Sequence, residues 1–466
     1  MTGTKLRRRA TVVTALGALA LAAPPAQAAE TTVPCDAAAL VQAVAAASAT
    51  ADADTLSLAP GCDYPLTAVA GTTWAAGLPS VRGKLTVRGN HATIRRAAGA
   101  PQFRLIANRG DLTLTDVTLT GGHAPDGVGA GGDGRGNPGE SGGAIENWGP
   151  LSITGSTVTG NTSGSGGRGA DDASPGRGGL AGFRGGISSY IGSPTAPLTI
   201  AGSEITGNST GDGGRGGDAT GTATGGDGGS GGFGGGLYTS VGTVLRITGS
   251  TVTGRLLRSV VESVELPGRR VVAQDSVVYA RGKGNTAGVG GPGGTGGPGA
   301  GSGAGGSGGS GGGLFVATRQ DEHLDPVVTT TELSGNHAGR GSAAGVPGPG
   351  GYVGRAGYGG SGGGLGLFYD ALTFDGGSVT DNTAGEPGAG YSPPAADAGG
   401  VYTLDARVTP ANGATVTGNR PNNCSSVADV PGCVNAGNPL LYAAVAGFRD
   451  GRAEAAVAAF SASAGR

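Results

Sequence analysis

Leu151-Ser152-Ile153-Thr154-Gly155-Ser156-Thr157-Val158-Thr159-Gly160-Asn161 is the stretch on which the fold turns. Gly142-Gly143-Ala144-Ile145-Glu146-Asn147-Trp148-Gly149-Pro150 stands directly before it. The same frame returns as Gly185-Gly186-Ile187 with Leu198 to Asn208, and as Gly235-Gly236-Leu237 with Leu245 to Gly254. Ser156, Ser203 and Ser250 are 47 residues apart each time. Looser copies follow, from Gly312 to Asn336, Gly363 to Asn382 and Gly399 to Asn419, and three less glycine-rich units end near Leu66, Ile94 and Leu119. Self-similarity at a fixed period marks a stacked repeat architecture.

Each copy holds three short pieces that alternate in polarity and are rich in β-branched residues, the pattern of strands. Gly-Pro and Gly-Ser turns separate them. One copy cannot bury its own aliphatic face, so the copies must stack. The expected fold is all-β: a right-handed parallel β-helix of three-strand rungs, with glycine-rich inserts at one corner. Asn161, Asn208, Asn336, Asn382 and Asn419 close their units and are expected to form a side-chain ladder.

A stack needs covered ends. Leu40, Val41 and Val44 follow Asp36 at helical spacing, which predicts a capping helix over 36–47. Cys35, Cys62, Cys424 and Cys433 lie as one pair near each end. Three pairings are possible, of which 35–62 and 424–433 close the shortest loops. A zinc site fits poorly, because no two cysteines are two to four residues apart and the four histidines do not gather near them. The Ala-rich stretch from Tyr442 to Phe460 is a candidate second cap.

These features carry a resemblance. The Gly-Gly-Ala-Ile and Thr-Gly-Asn signatures are similar to the repeats of polymorphic outer-membrane-protein-type β-helices. The run from Cys35-Asp36 through Asp54-Thr55-Leu56-Ser57-Leu58-Ala59-Pro60-Gly61-Cys62 resembles the capped start of secreted pectin-lyase-like proteins. The likeness covers about residues 33 to 434. It departs from the outer-membrane branch, since no C-terminal set of alternating strands could form a barrel.

The N-terminus predicts export. Lys5, Arg7, Arg8 and Arg9 precede an apolar run, and Ala26-Gln27-Ala28 fits cleavage after Ala28. The expected division is a signal peptide over 1–28, a helical cap and first strand over 29–70, the repeat body over 71–420, and a disulfide loop and tail over 421–466. The expected location is extracellular. A net charge of −2 and three lysines leave no electrostatic footprint for nucleic acid or anionic membrane.

The chain holds 103 glycines, grouped into blocks near 122–142, 162–185, 209–235, 286–312, 338–363 and 383–398. Two readings stand: flexible linkers, or polyproline-II-like strands ordered against one another, with glycine at every third position in 290–299. Calcium-binding nonapeptides are disfavoured because Asp does not recur at every ninth residue, and no Walker loop follows Lys84 or Lys283. Residues 255–283 interrupt the frame, either as a helix with an extra strand or as an insertion.

No catalytic, metal or cofactor constellation stands out. Asp116, Glu146, Glu204, Glu332, Asp375 and Asp381 are scattered along the strand pieces, and Asp171-Asp172 lies in a glycine block. His123 and His337 follow strand ends. The expected function is non-catalytic: surface or cell-envelope interaction, with a polysaccharide as partner, through rows of Thr and Ser. The alternative is a polysaccharide-active lyase or glycosidase, which needs converging carboxylates.

Overall fold

The computed structural model describes residues 30–50, 52–70, 75–190, 196–240, 243–253, 284–318, 326–390 and 396–435. The expected signal peptide, the 255–283 segment and the Ala-rich tail lie outside the described residues.

Equivalent residues of successive copies pair side by side, and every strand pairing is parallel. Leu151 pairs with Leu198 and Leu198 with Leu245; Ile153, Ile200 and Ile247 follow two positions on. Val158, Ile205 and Val252 do the same in the next piece. All nine side chains are buried, so each period of the sequence extends one apolar core. A slip of one residue would turn this whole set to solvent.

Among the described residues the strands form two sheets, of 15 and seven strands. The smaller gathers the Gly-Gly-aliphatic pieces, from Ile106–Asn108 to Val401–Leu404. The larger contains both other pieces. Strand Asp111–Thr120 pairs with Leu151–Thr154 along its first half and Thr157–Thr159 along its second. Val327–Ser334 does likewise with Thr243–Thr248 and Thr251–Thr253. Through these two long strands, with Ala196–Ala201 and Glu204–Thr206 between them, eight parallel strands join in a closed, barrel-type ring.

This topology corrects the expected right-handed β-helix of three-strand rungs. The physical reason is the corner between the Leu-x-Ile and Ser-x-x-Thr pieces. It consists of little more than a residue in the left-handed region, such as Asp116 (φ 52°), Gly155 (φ 57°) or Thr330 (φ 44°). So small a kink bends the ladder without ending it, and two of the three pieces share one sheet.

The glycine blocks are ordered and do not form a fringe at a corner. The five blocks between 122 and 363 each leave the strands along one arm and return along another, and the arms are bonded together through their backbones. Gly388 N donates to Gly357 O, and the line continues through Ser342, Gly306, Gly291, Gly229, Gly214, Gly179 and Gly167 to Asn137, at 2.7–3.0 Å per bond. Parallel lines run three residues to either side, through Gly288 and Gly294. In Gly290-Gly291-Pro292-Gly293-Gly294-Thr295 the glycines are buried, while Pro292 is exposed and Thr295 half-buried. A Cβ built on Gly214 or Gly291 would collide with the backbone oxygen of Gly167 or Gly214. Glycine is required here by close approach in a triplet packing.

The ends are closed as well. Helix Ala37–Ala47 starts at Asp36, whose carboxylate accepts from the Ala39 amide at 2.9 Å, and it buries Leu40, Val44 and Ala47 on the first strands. Disulfides join Cys35 to Cys62 and Cys424 to Cys433.

Gly291→Ala should lower unfolding stability by about 1–3 kcal/mol through overpacking, whereas Pro292→Ala should stay within about 0.5 kcal/mol of the parent. Urea denaturation of the two variants checks this, and equal effects would contradict an ordered glycine layer.

A hydroxyl face as the candidate functional site

The carboxylates do not converge. Asp116 accepts from the His91 amide at 3.1 Å. Glu146 is buried 3.8 Å from Arg184. Glu332 accepts from Ser334 Oγ at 2.7 Å, and Asp375 from Asn412. Glu204 is half-buried, and that burial raises its carboxyl pKa. Asp381 lies at a corner with positive φ. In the glycine layer Asp171 pairs with Arg168 at 2.6 Å, and Arg215 grips Asp218 with two hydrogen bonds. The Arg215 bonds hold the Asp218 carboxyl well below the usual carboxylate range. Among the described residues no three His, Cys, Asp or Glu side chains are placed to hold a metal.

A cavity beneath the helix is lined by Leu40, Val44, Leu78 and Val81 and by further apolar side chains of the core. His123 is half-buried, 3.7 Å from Asp126, and His337 lies further along the same line of bridges, bonded in sequence to Thr286 and Thr383. Burial lowers the pKa of both imidazoles.

The asparagines are spent on the fold. Asn161 Nδ2 donates to Asn208 Oδ1 at 2.9 Å, Asn336 to Asn382 at 3.0 Å, and Asn382 to Asn419 at 2.9 Å. Two members escape the sequence frame. Asn285 bridges Asn208 and Asn336, and Asn423 receives Asn419 Nδ2 at 3.1 Å. Asn285 follows directly on the interrupting segment, so the repeat spacing that flags the others is broken there. Asn435 ends the ladder, accepting from the amides of Asn423 and Cys424 at 3.0 Å beside the Cys424–Cys433 loop.

The outer side of the Leu-x-Ile strands is different. Alternation puts every second residue outward, and the register aligns those residues in rows. One row reads Thr55, Thr86, Thr113, Ser152 and Thr199, then Arg246, Val327, Thr373 and Thr409. Beside it lie Ser57, Arg88, Thr115, Thr154, Ala201, Thr248 and Thr329. All of these side chains are half-buried or exposed. Thr162 and Ser209, on the line of bridges next to the asparagines, bond to each other at 3.0 Å. By contrast, the hydroxyls of Thr86, Thr113, Ser152 and Thr199 bond to no protein group among the described residues. These hydroxyls can still both donate and accept.

A second surface runs along the seven-stranded sheet, where Phe183 stacks on Phe233 at 5.5 Å and Tyr238 on Phe315 at 5.3 Å. Phe368 and Tyr402 extend the ribbon at 5.8 Å. Phe233 and Phe368 pack against Tyr238 and Phe315, which are buried.

Two disulfides, and the absence among the described residues of a helix long and apolar enough to cross a membrane, are compatible with a secreted protein.

Asn285→Ala should cost about 2–3 kcal/mol, because it strands the buried Asn208 amide donors. Thr199→Ala should change stability by no more than about 0.5 kcal/mol. Thermal unfolding of both variants checks the division between structural and free polar groups. No family model, curated protein or solved structure matches the chain.

Proposed function

We propose that the protein acts outside the cell as a non-catalytic binder of a polysaccharide or related cell-envelope polymer, through the Thr/Ser face of the Leu-x-Ile strands. The observation that supports this reading is the row Thr55–Thr86–Thr113–Ser152–Thr199, whose hydroxyls are accessible and are aligned by the strand register. A repeating array of groups that donate and accept suits a ligand that is itself repeating and rich in hydroxyls. An extended polymer gains from such a surface because each repeat adds a weak contact to one already held.

Thr113→Lys combined with Thr199→Lys places two long charged side chains in the row without touching the core. Co-sedimentation with insoluble cell-envelope and plant polysaccharides should show retention of the parent and at least a tenfold loss in the double variant. Equal retention of both, with matching unfolding midpoints, would remove this face from the binding reaction.

A further inference from the structure

We infer that the ligand of this face is a neutral glycan chain lying across the strands, along the direction in which they stack, with one sugar ring set against each strand. The inference rests on the binding function just proposed and specifies its ligand. Three observations carry it.

The first is spacing. Neighbouring strands of a sheet lie ~4.8 Å apart, so the row from Thr55 to Thr199 offers one hydroxyl at each such step over five consecutive strands. A pyranose in an extended chain has about the same length as that step. The adjoining positions, Thr115 and Thr154, are two residues further along their strands, roughly 6.6 Å away. Two rows at that separation span the width of one sugar ring.

Charge is the second. An acidic glycan is gripped by cations, best by guanidinium forks. Within these five strands the flanking cations already have partners. Arg88 donates to Glu30 at 2.8 Å, and Lys84 lies 3.7 Å from Asp111. Arg246 enters the row only beyond Thr199. Glu30 pairs with Thr55 at the head of the row and Arg88 stands beside Thr115 in the adjoining one, bound to that carboxylate, so a uronate or phosphate polymer would meet hydroxyls along the row itself and would have to displace Glu30 to reach Arg88.

The third is the chemistry of threonine. Its hydroxyl donates and accepts, as a sugar hydroxyl does, so each pair can bond in either sense, whereas a carboxylate only accepts. The threonine methyl beside it offers a small apolar contact to the ring hydrogens. The outward positions of the row from Thr55 to Thr199 hold no aromatic side chain, so recognition here depends on the hydroxyl row and not on ring stacking.

The test uses the secreted full chain with insoluble cellulose, chitin and β-1,3-glucan as neutral ligands, and with immobilised polygalacturonate and alginate as acidic ones. Retention on at least one neutral glycan, unchanged between low and high salt and absent on the acidic pair, is the expected result. Competition by soluble oligomers of the retaining glycan should strengthen with length up to about five sugars and then level off, following the five strands of the row. Thr113→Val keeps the side-chain shape and deletes one hydroxyl, and it should weaken retention about fivefold. Salt-sensitive retention on an acidic polymer would overturn the neutral-glycan inference and leave the binding function standing. Failure on every polymer would overturn both, and full retention of Thr113→Val would overturn the role of the row.

Discussion

Parallel pairing of like residue with like residue across successive copies is the constraint from which everything else in this molecule follows. Once Leu151, Leu198 and Leu245 share a register, the aliphatics between them close into one core. Asn161 and Asn208 then come within bonding distance, and the hydroxyls of Thr113, Ser152 and Thr199 fall into line. The register is set by burial, since sliding a strand by one position would exchange its leucines for its threonines. Inner order and outer order are thus one property seen from two sides. The amide ladder adds a second lock. Each asparagine amide satisfies its neighbour as well as a backbone carbonyl, as Asn208 Nδ2 does with Asn285 and with Val158 O at 2.9 Å. A slipped copy would leave several buried polar atoms without partners.

Much of this was legible in the residues themselves. The 47-residue spacing and the alternation within Leu-x-Ile place both the buried and the outward sets, and the helix over 37–47 shows in Asp36, Leu40 and Val44. What could not be read was how many sheets the pieces make. Three strand-like segments suggest three faces, yet the ladder passes through residues as ordinary in the sequence as Asp116 and Thr330. Strand counting has no access to whether a kink interrupts hydrogen bonding. Asn285 was hidden for a different reason, because its copy is split by an interruption that destroys the spacing. The order of the glycine blocks was visible only as a loose triplet period. The partners of each triplet lie on the returning arm of the same insert, as Gly229 does to Gly214, or on the neighbouring insert, as Gly179 does to Gly214, so composition alone reads as a linker.

The candidate site follows the same logic. Sequence points to exposed Thr and Ser, but only coordinates separate hydroxyls used internally, such as Ser156, Ser203 and Thr162, from those left over, such as Thr113 and Thr199. Asp116, Glu146, Glu332 and Asp375 fall to local duties, with backbone, arginine, serine and asparagine partners respectively. The chemistry that remains on the surface is repetitive and uncharged from Thr55 to Thr199. In the proposed binding reaction no single residue of such a surface dominates, and affinity grows with the number of repeats engaged.

The glycine layer constrains how such a protein can change over time. Its lines of bonds link one arm to the next at three-residue intervals, through Gly211, Gly214 and Gly217 on the way out and Gly226, Gly229 and Gly232 on the way back. The following insert carries the same lines one step further, to Gly297 and Ala300, and its successor meets it there with Gly348. Three bonded pairs hold each of these inserts in step with the next, while the tip beyond them differs: five residues separate Ala170 from Gly176 and eight separate Gly217 from Gly226. The bonded lines thus hold each arm in steps of three and leave length to vary at the tip, a coding-sequence grammar imposed by the thickness of a backbone.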